Sequence, residues 1–204
     1  DADVLSYRIH DFRSRTIGSG NMPVNDKNVL SALEKIIECS AASDPLLSIV
    51  SIAVSGVVCD GVVKDSAVFP SLGGMDLSNR KFGMTALVDN DLHAASNVAR
   101  IFSDYKNDVN VLFAFGKRKS GAGIIVNGDV LCGAAGAAGE IGNIPVHTPD
   151  IESERVAFCS ESLQAIIALL NPKRVIIYEL DEGMGADKLI SLIKEKLKAY
   201  LLPE

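Results

Sequence analysis

No run of apolar residues in this chain reaches the ~18–20 needed to span a bilayer. The longest candidate, Leu46 to Val58, is interrupted by serines. The expectation is a protein without a membrane segment. Basic residues are also scarce. The 204 residues carry a net charge of −6, with both signs interspersed. Phosphate contacts need a basic patch, so the charge argues against nucleic-acid binding through this chain. The densest basic stretch, Lys117-Arg118-Lys119, reads as a solvated turn. None of the four cysteines, Cys39, Cys59, Cys132 and Cys159, stands in a C-x-x-C pair. Scattered single cysteines in apolar contexts read as buried reduced thiols. The first residues carry no signal-peptide pattern, and the expected location is the cytoplasm.

What is present is ordinary for a globular protein: 48% apolar and 23% charged residues. The length suits one large domain or two small lobes with a real core. Val4 to Ile9 alternates like a strand, with a hairpin partner from Arg15 to Ile17 onward. Asn25 is placed to cap a helix through Glu38, whose stripe is Val29, Leu30, Leu33, Ile36 and Ile37. Leu47 to Val54 reads as a strand buried on both faces. A hairpin-like Val62 to Phe69, a loop Pro70 to Gly74 and a short helix Leu77 to Phe82 follow. Ala86 to Val88 is a strand, and Asn90 or Asp91 caps a helix to about Tyr105.

Lys106-Asn107-Asp108 reads as the connector, giving lobes 1–108 and 109–204. The second half restarts with strands Val109 to Phe115 and Gly121 to Val126. Asn127-Gly128 signals a type I′ turn into Asp129 to Leu131. After the glycine-alanine segment come a strand Ile144 to Val146, a helix Glu161 to Leu170 and a strand Val175 to Tyr178. Leu189, Ile190, Ile193, Leu197 and Tyr200 mark a last amphipathic helix. Hairpins followed by alternating helix and strand imply α/β lobes, each a mixed sheet with flanking helices.

Two motifs carry the chemistry. VDNDLHAA spans Val88 to Ala95, and GAAGAAGEIGN spans Gly133 to Asn143. Alone, Asp91 is first a helix cap, and alternating glycine and alanine first marks close packing. The second motif lacks the Gly-Lys-Ser/Thr of a Walker loop and the G-x-G-x-x-G spacing of a dinucleotide site.

Taken in order, the segments resemble the ROK family of repressors, open reading frames and sugar kinases. IVSIAVSGVV resembles its strand leading to a sugar loop. FPSLGGMDLSNRKFG and VDNDLHAA resemble its Asn-Leu-x-Gly-Trp and Glu-Asn-Asp-Ala-Asn-Ala-Ala segments. GIIVNGDVLCGAAGAAGEIGNIPV is the nearest stretch, and SLQAIIALLNPKRVIIY resembles its late helix-Asn-Pro-strand unit. The resemblance implies a two-lobed actin-like ATPase (ribonuclease H-like) fold. It puts Asp91 where the kinases keep their catalytic base, a carboxylate that orients the acceptor hydroxyl and takes its proton. It also implies that Asn90, Asp91 and Glu140 hydrogen-bond sugar hydroxyls, with Gly74 and Ser55 lining the wall.

The departures fall on nucleotide and metal. The first phosphate loop would lie at DADVLSY, with Asp3 near the threonine position. The second reads GKRKSGAG, keeping Gly116 as a weak nucleotide contact but losing the following glycines. Tyr178-Glu179 stands in the adenosine segment. Asn143 takes the place of a zinc-ligating histidine, and His147 and Cys159 supply two ligands at most. His10 and His93 read as surface or packing residues.

The expectation is therefore a non-catalytic, sugar-sensing effector domain of a transcriptional regulator. No cofactor and no zinc are expected, with ATP and Mg only in a kinase. A homodimer is expected, with DNA contacted only by a separate helix-turn-helix outside this chain. Two alternatives stand beside it. One is an ATP-dependent kinase of a hexose or N-acetylhexosamine with Asp91 as base; the other is a ligand-free dimerisation scaffold.

Overall fold

The computed structural model describes residues 3–101, 108–115, 120–144, 152–180 and 186–198. Its chain forms two compact units, Asp1–Asp91 and Leu92–Glu204. Helix α2 (Asp91–Ile101), assigned to the first lobe by the sequence reading, groups with the second unit from Leu92 onward.

The first unit opens with an antiparallel hairpin, β1 (Asp3–His10) and β2 (Thr16–Val24). Alternation turns Leu5, Tyr7 and Ile9 inward and leaves their neighbours exposed. Helix α1 (Val29–Ser43) buries Val29, Ala32, Leu33, Ile36 and Ile37, at the expected helical spacing. It starts later than Asn25. The Asn25 N–H donates to the Asn28 side-chain oxygen at 2.7 Å, and the Asn25 side chain accepts from Lys27 N–H at 2.9 Å. These local turns use Asn25 before the helix begins.

Strands β3 (Ile49–Val54) and β6 (Thr85–Asn90) pair in parallel, and β4 (Val57–Cys59) with β5 (Val62–Asp65) makes a small hairpin. The expectation of a β3 buried on both faces is corrected. Ile49, Ser51 and Ala53 are exposed and only Val54 is fully buried, so the strand is half-buried. Leu77 to Phe82 is no helix either. The Asp76 carboxylate accepts from Ser78 Oγ, Asn79 N–H and Asn79 Nδ2 at 2.8, 3.0 and 2.6 Å. That Asx turn competes with helical bonding and leaves Leu77 pointing into the core. Val24, Val29, Val54, Val58, Val63, Leu72 and Leu77 form one apolar cluster.

The second unit holds a four-stranded mixed sheet in the order β10-β7-β8-β9. Its strands are β7 (Asn110–Phe115), β8 (Ser120–Val126), β9 (Asp129–Val130) and β10 (Arg174–Glu179). Strand β10 runs parallel to β7, and the β7-β8 and β8-β9 pairs are antiparallel. Asn127 and Gly128 both have positive φ, 52° and 89°, as the type I′ turn requires. Helix α3 (Glu152–Leu170) begins well before the expected Glu161, and α4 (Ala186–Leu197) packs on it. Val111, Phe113 and Phe115 of β7 meet Leu163, Leu189 and Ile193 in a second apolar cluster. Each such side chain contributes about 1.5–3 kcal/mol on full burial.

Of the four cysteines, expected to be buried, only Cys159 is; Cys39 and Cys132 are exposed. Ile144 lies in a bend rather than a strand. The connector Lys106-Asn107, the helix end at Tyr105, Gly116 with Lys117-Arg118-Lys119, Val146, His147 and Tyr200 lie outside the described residues. Among the described residues no helix is long and apolar enough to cross a membrane.

Candidate functional site

The parallel pairing of β3 and β6 ends at the rung Val54↔Asn90. Ser55 and Asp91 are the next residues of their strands. Both therefore leave the carboxyl ends of adjacent parallel strands, where open α/β sheets bind their ligands. Asn90 is 3% exposed, and its Nδ2 donates to the Gly56 carbonyl at 2.6 Å. That bond fastens the Ser55-Gly56 loop to β6. Asn90 N–H donates to the Asp89 carboxylate at 2.8 Å. Asn90 thus has a scaffolding role that the sequence reading, which gave it to a ligand hydroxyl, did not contain.

Gly56 cannot be replaced cheaply. Its φ is +155°, and a Cβ there would overlap the Asp65 carbonyl. Ser66 Oγ donates to the Ser55 carbonyl at 2.8 Å and accepts from Phe69 N–H at 3.1 Å. The loop is therefore held from two sides. Asp91 is half-buried and is the first residue of α2, at the helix's positive end.

Gly74 follows a short 3-10 turn, Pro70–Leu72, and its N–H donates to the Val63 carbonyl at 2.7 Å. Its φ of +80° fits a turn, and no atom lies within 4 Å of where a Cβ would stand. Asp26 holds this turn from β2's end. Its carboxylate accepts from Ser71 N–H and its carbonyl from Ser71 Oγ, both at 2.7 Å. Asp26 and Ser66 shape these loops but sit in no motif, and nothing in their sequence neighbourhood singles them out.

Glu140 belongs to the second unit. It is half-buried and precedes a 3-10 turn, Ile141–Asn143, anchored by buried Ile141. The loop before it is fixed on β8. The Gly139 carbonyl accepts from both Ala122 N–H and Ile141 N–H at 2.8 Å. Gly139 has a φ of +88°, and a Cβ there would overlap the Ala122 carbonyl. The glycine-alanine run is thus both a close-packing element and the support of an acidic side chain.

Asp3 is paired with Val24 at the open end of the β1-β2 hairpin, inside the ladder and not in a turn. A phosphate cradle needs a turn with convergent N–H groups, so these residues do not form one. Tyr178, near the end of β10, is 59% exposed. Asn143 is exposed, while Cys159 is buried with its Sγ 3.7 Å from Ser120 Oγ. Among the described residues no three His, Cys, Asp or Glu side chains cluster as a metal site would require.

Mixed sheets with flanking helices in both units are the architecture of the actin-like ATPase and sugar-kinase fold. Solved structures bear this out. A ROK family transcriptional regulator, homolog of the E. coli MLC protein, superposes with a TM-score of 0.77 at 17% identity, covering 98% of this chain and 68% of that one. A ROK family glucokinase from Streptomyces griseus, in complex with glucose and AMPPNP, gives 0.69 at 15% identity, covering 98% and 87%. A ROK family protein from Streptococcus pneumoniae TIGR4, in complex with sucrose, gives 0.66 at 15% identity, covering 96% and 82%. No curated protein matches the chain by sequence. The model of the ROK family matches residues 24–162, and the chain belongs to that family.

Proposed function

We propose that this chain is a sugar-binding domain that senses its ligand and does not phosphorylate it, as the effector part of a ROK transcriptional regulator. The observation that carries the sugar-binding reading is the Val54↔Asn90 rung, which delivers Ser55 and Asp91 to neighbouring strand ends. Sugars need convergent donors and acceptors, because a bound hydroxyl without a partner costs affinity. The proposed ligands are Ser55, Asn90, Asp91 and Gly74 of the first unit and Glu140 of the second. Asn90 would act chiefly by holding the Ser55-Gly56 loop. In this reading the protein is a cytoplasmic homodimer, and any DNA contact is made outside this chain. Sensing over transfer is supported by the sequence of the phosphate-loop segments, where GKRKSGAG lacks the glycines that follow Gly116 in the family.

The kinase reading keeps one support: Asp91 opens a helix directly after a parallel strand, a position suited to a base. A coupled ATPase assay with glucose, mannose, N-acetylglucosamine and N-acetylmannosamine separates the two. No sugar-dependent turnover is expected, and robust turnover would sink the sensing reading. A thermal-shift series with the same sugars tests binding itself. At least one sugar is expected to raise the melting temperature. Asp91→Ala and Glu140→Ala, assayed separately, should each weaken affinity at least tenfold, about 1.4 kcal/mol. If no sugar moves the transition, the chain is a scaffold.

A further inference from the structure

The two acidic motifs are joined inside the second unit by one side chain that neither sugar binding nor catalysis requires. His93 is the third residue of α2 and is 2% exposed. Its Nε2 lies 3.4 Å from the Ala138 carbonyl oxygen. A carbonyl only accepts, so Nε2 carries the proton and donates. At 3.4 Å the bond is long, but both partners are held. Helix α2 is pressed on β8 so closely that a Cβ at Gly123 would overlap Ser96 Oγ, and Ser96 is fully buried one turn beyond Leu92. His93 therefore stands on a helix with little freedom to withdraw.

The loop on the other side is shaped by main-chain bonds. Ala138 N–H donates to the Cys132 carbonyl at 3.0 Å, closing the glycine-alanine run into a ring. The next carbonyl, Gly139, is bound by Ala122 and Ile141. Glu140 follows at once. A bond to the Ala138 carbonyl orients the 138–139 peptide, and that peptide sets the direction in which Glu140 leaves β8. Strand β8 carries both α2 and the loop, and His93 ties one to the other above it.

We propose that His93 is a positioning residue: its Nε2–H fixes the Gly133–Gly139 loop and through it the placement of Glu140. The consequence for sugar affinity rests on the function proposed above, whereas the fixing of the loop does not. The test compares His93→Leu, which fills similar space without a donor, with His93→Gln, whose side-chain nitrogen can stand near the position of Nε2. Amide exchange without ligand is followed in residues 133–142, with β7 residues Val111 to Phe115 as internal reference.

His93→Leu should speed exchange in the loop at least tenfold while leaving β7 protected, and His93→Gln should restore most of the protection. Unchanged loop exchange in His93→Leu overturns the proposal. So does equal loss in both variants, or equal loss in loop and β7, since each points to packing alone. Where the unsubstituted protein binds glucose or N-acetylglucosamine, His93→Leu should weaken that affinity and His93→Gln should not. Absence of sugar binding would refute the functional reading and leave the exchange result to decide the role of His93.

Discussion

A methyl group added at Gly139 would overlap the Ala122 carbonyl, and the residue already occupies a left-handed backbone conformation. Both terms act against any side chain there. Left-handed backbone costs an L-residue roughly 1–2 kcal/mol, and overpacking a tight contact costs about 1–3 kcal/mol. Gly139→Ala is expected to lower unfolding stability by about 2–4 kcal/mol, read from the urea midpoint at unchanged slope. A loss under about 0.5 kcal/mol, the level of an ordinary surface substitution, would show that the loop can lift off β8 without penalty. The residues flanking Gly139 make the same point about what a sequence discloses. GAAGAAGE is legible as close packing or as a ligand loop, because small residues serve both. Which main-chain groups it packs against is a tertiary fact, and no local pattern contains it.

The Asp76 turn shows how an element can be lost to local hydrogen bonding. Leu77 to Phe82 is long enough for a short helix, yet the Asp76 carboxylate captures Asn79 and Ser78. The Asn79 side chain, then the Asn79 N–H and the Ser78 hydroxyl, hold the Asp76 carboxyl below its ordinary value of 3.8. A carboxyl depressed in the folded state stabilises above its unfolded pKa and loses that contribution as pH falls through the folded value. Melting temperature is therefore expected to separate native protein from Asp76→Ala at pH 6. The gap should narrow below about pH 4, where the carboxylate protonates. A gap that stays constant down to about pH 2.5 would assign the effect to geometry instead of charge. The long regular elements were readable: β7 as a buried apolar run, α1 as a stripe, the Asn127-Gly128 turn as a hairpin. Helix α2 was readable as a helix, but its buried face was not. That face carries His93 and Ser96, both polar, and Ser96 fits because β8 presents Gly123 opposite it. Strand β3 failed for the complementary reason. Its β-branched run resembles a central strand, but among the described residues β6 is its only ladder partner, and one face stays exposed.

Each of the two units closes an apolar core of its own. Leu77 is wholly buried in the cluster built on Val24, Val54 and Val63, and Leu163 in the one built on Phe113 and Phe115. Among the described residues none is shared by the two clusters. Truncating a buried leucine costs about 2–5 kcal/mol, because both transfer energy and the cavity count. Such a loss lowers the opening energy of the cooperative segment containing the residue before it reaches the rest. Leu77→Ala is therefore expected to accelerate amide exchange in β4, β5 and β6 while β7 and β8 keep their protection. Leu163→Ala should do the reverse. Peptide-level exchange at one pH and temperature, with both variants at equal concentration, reads the two patterns side by side. Uniform acceleration across both units in either variant would mean that the two cores open as one. A sensing domain gains from the separable outcome. Ligand can bias a conformational equilibrium only by binding one state better than the other, and units that open independently offer more than one state to choose between.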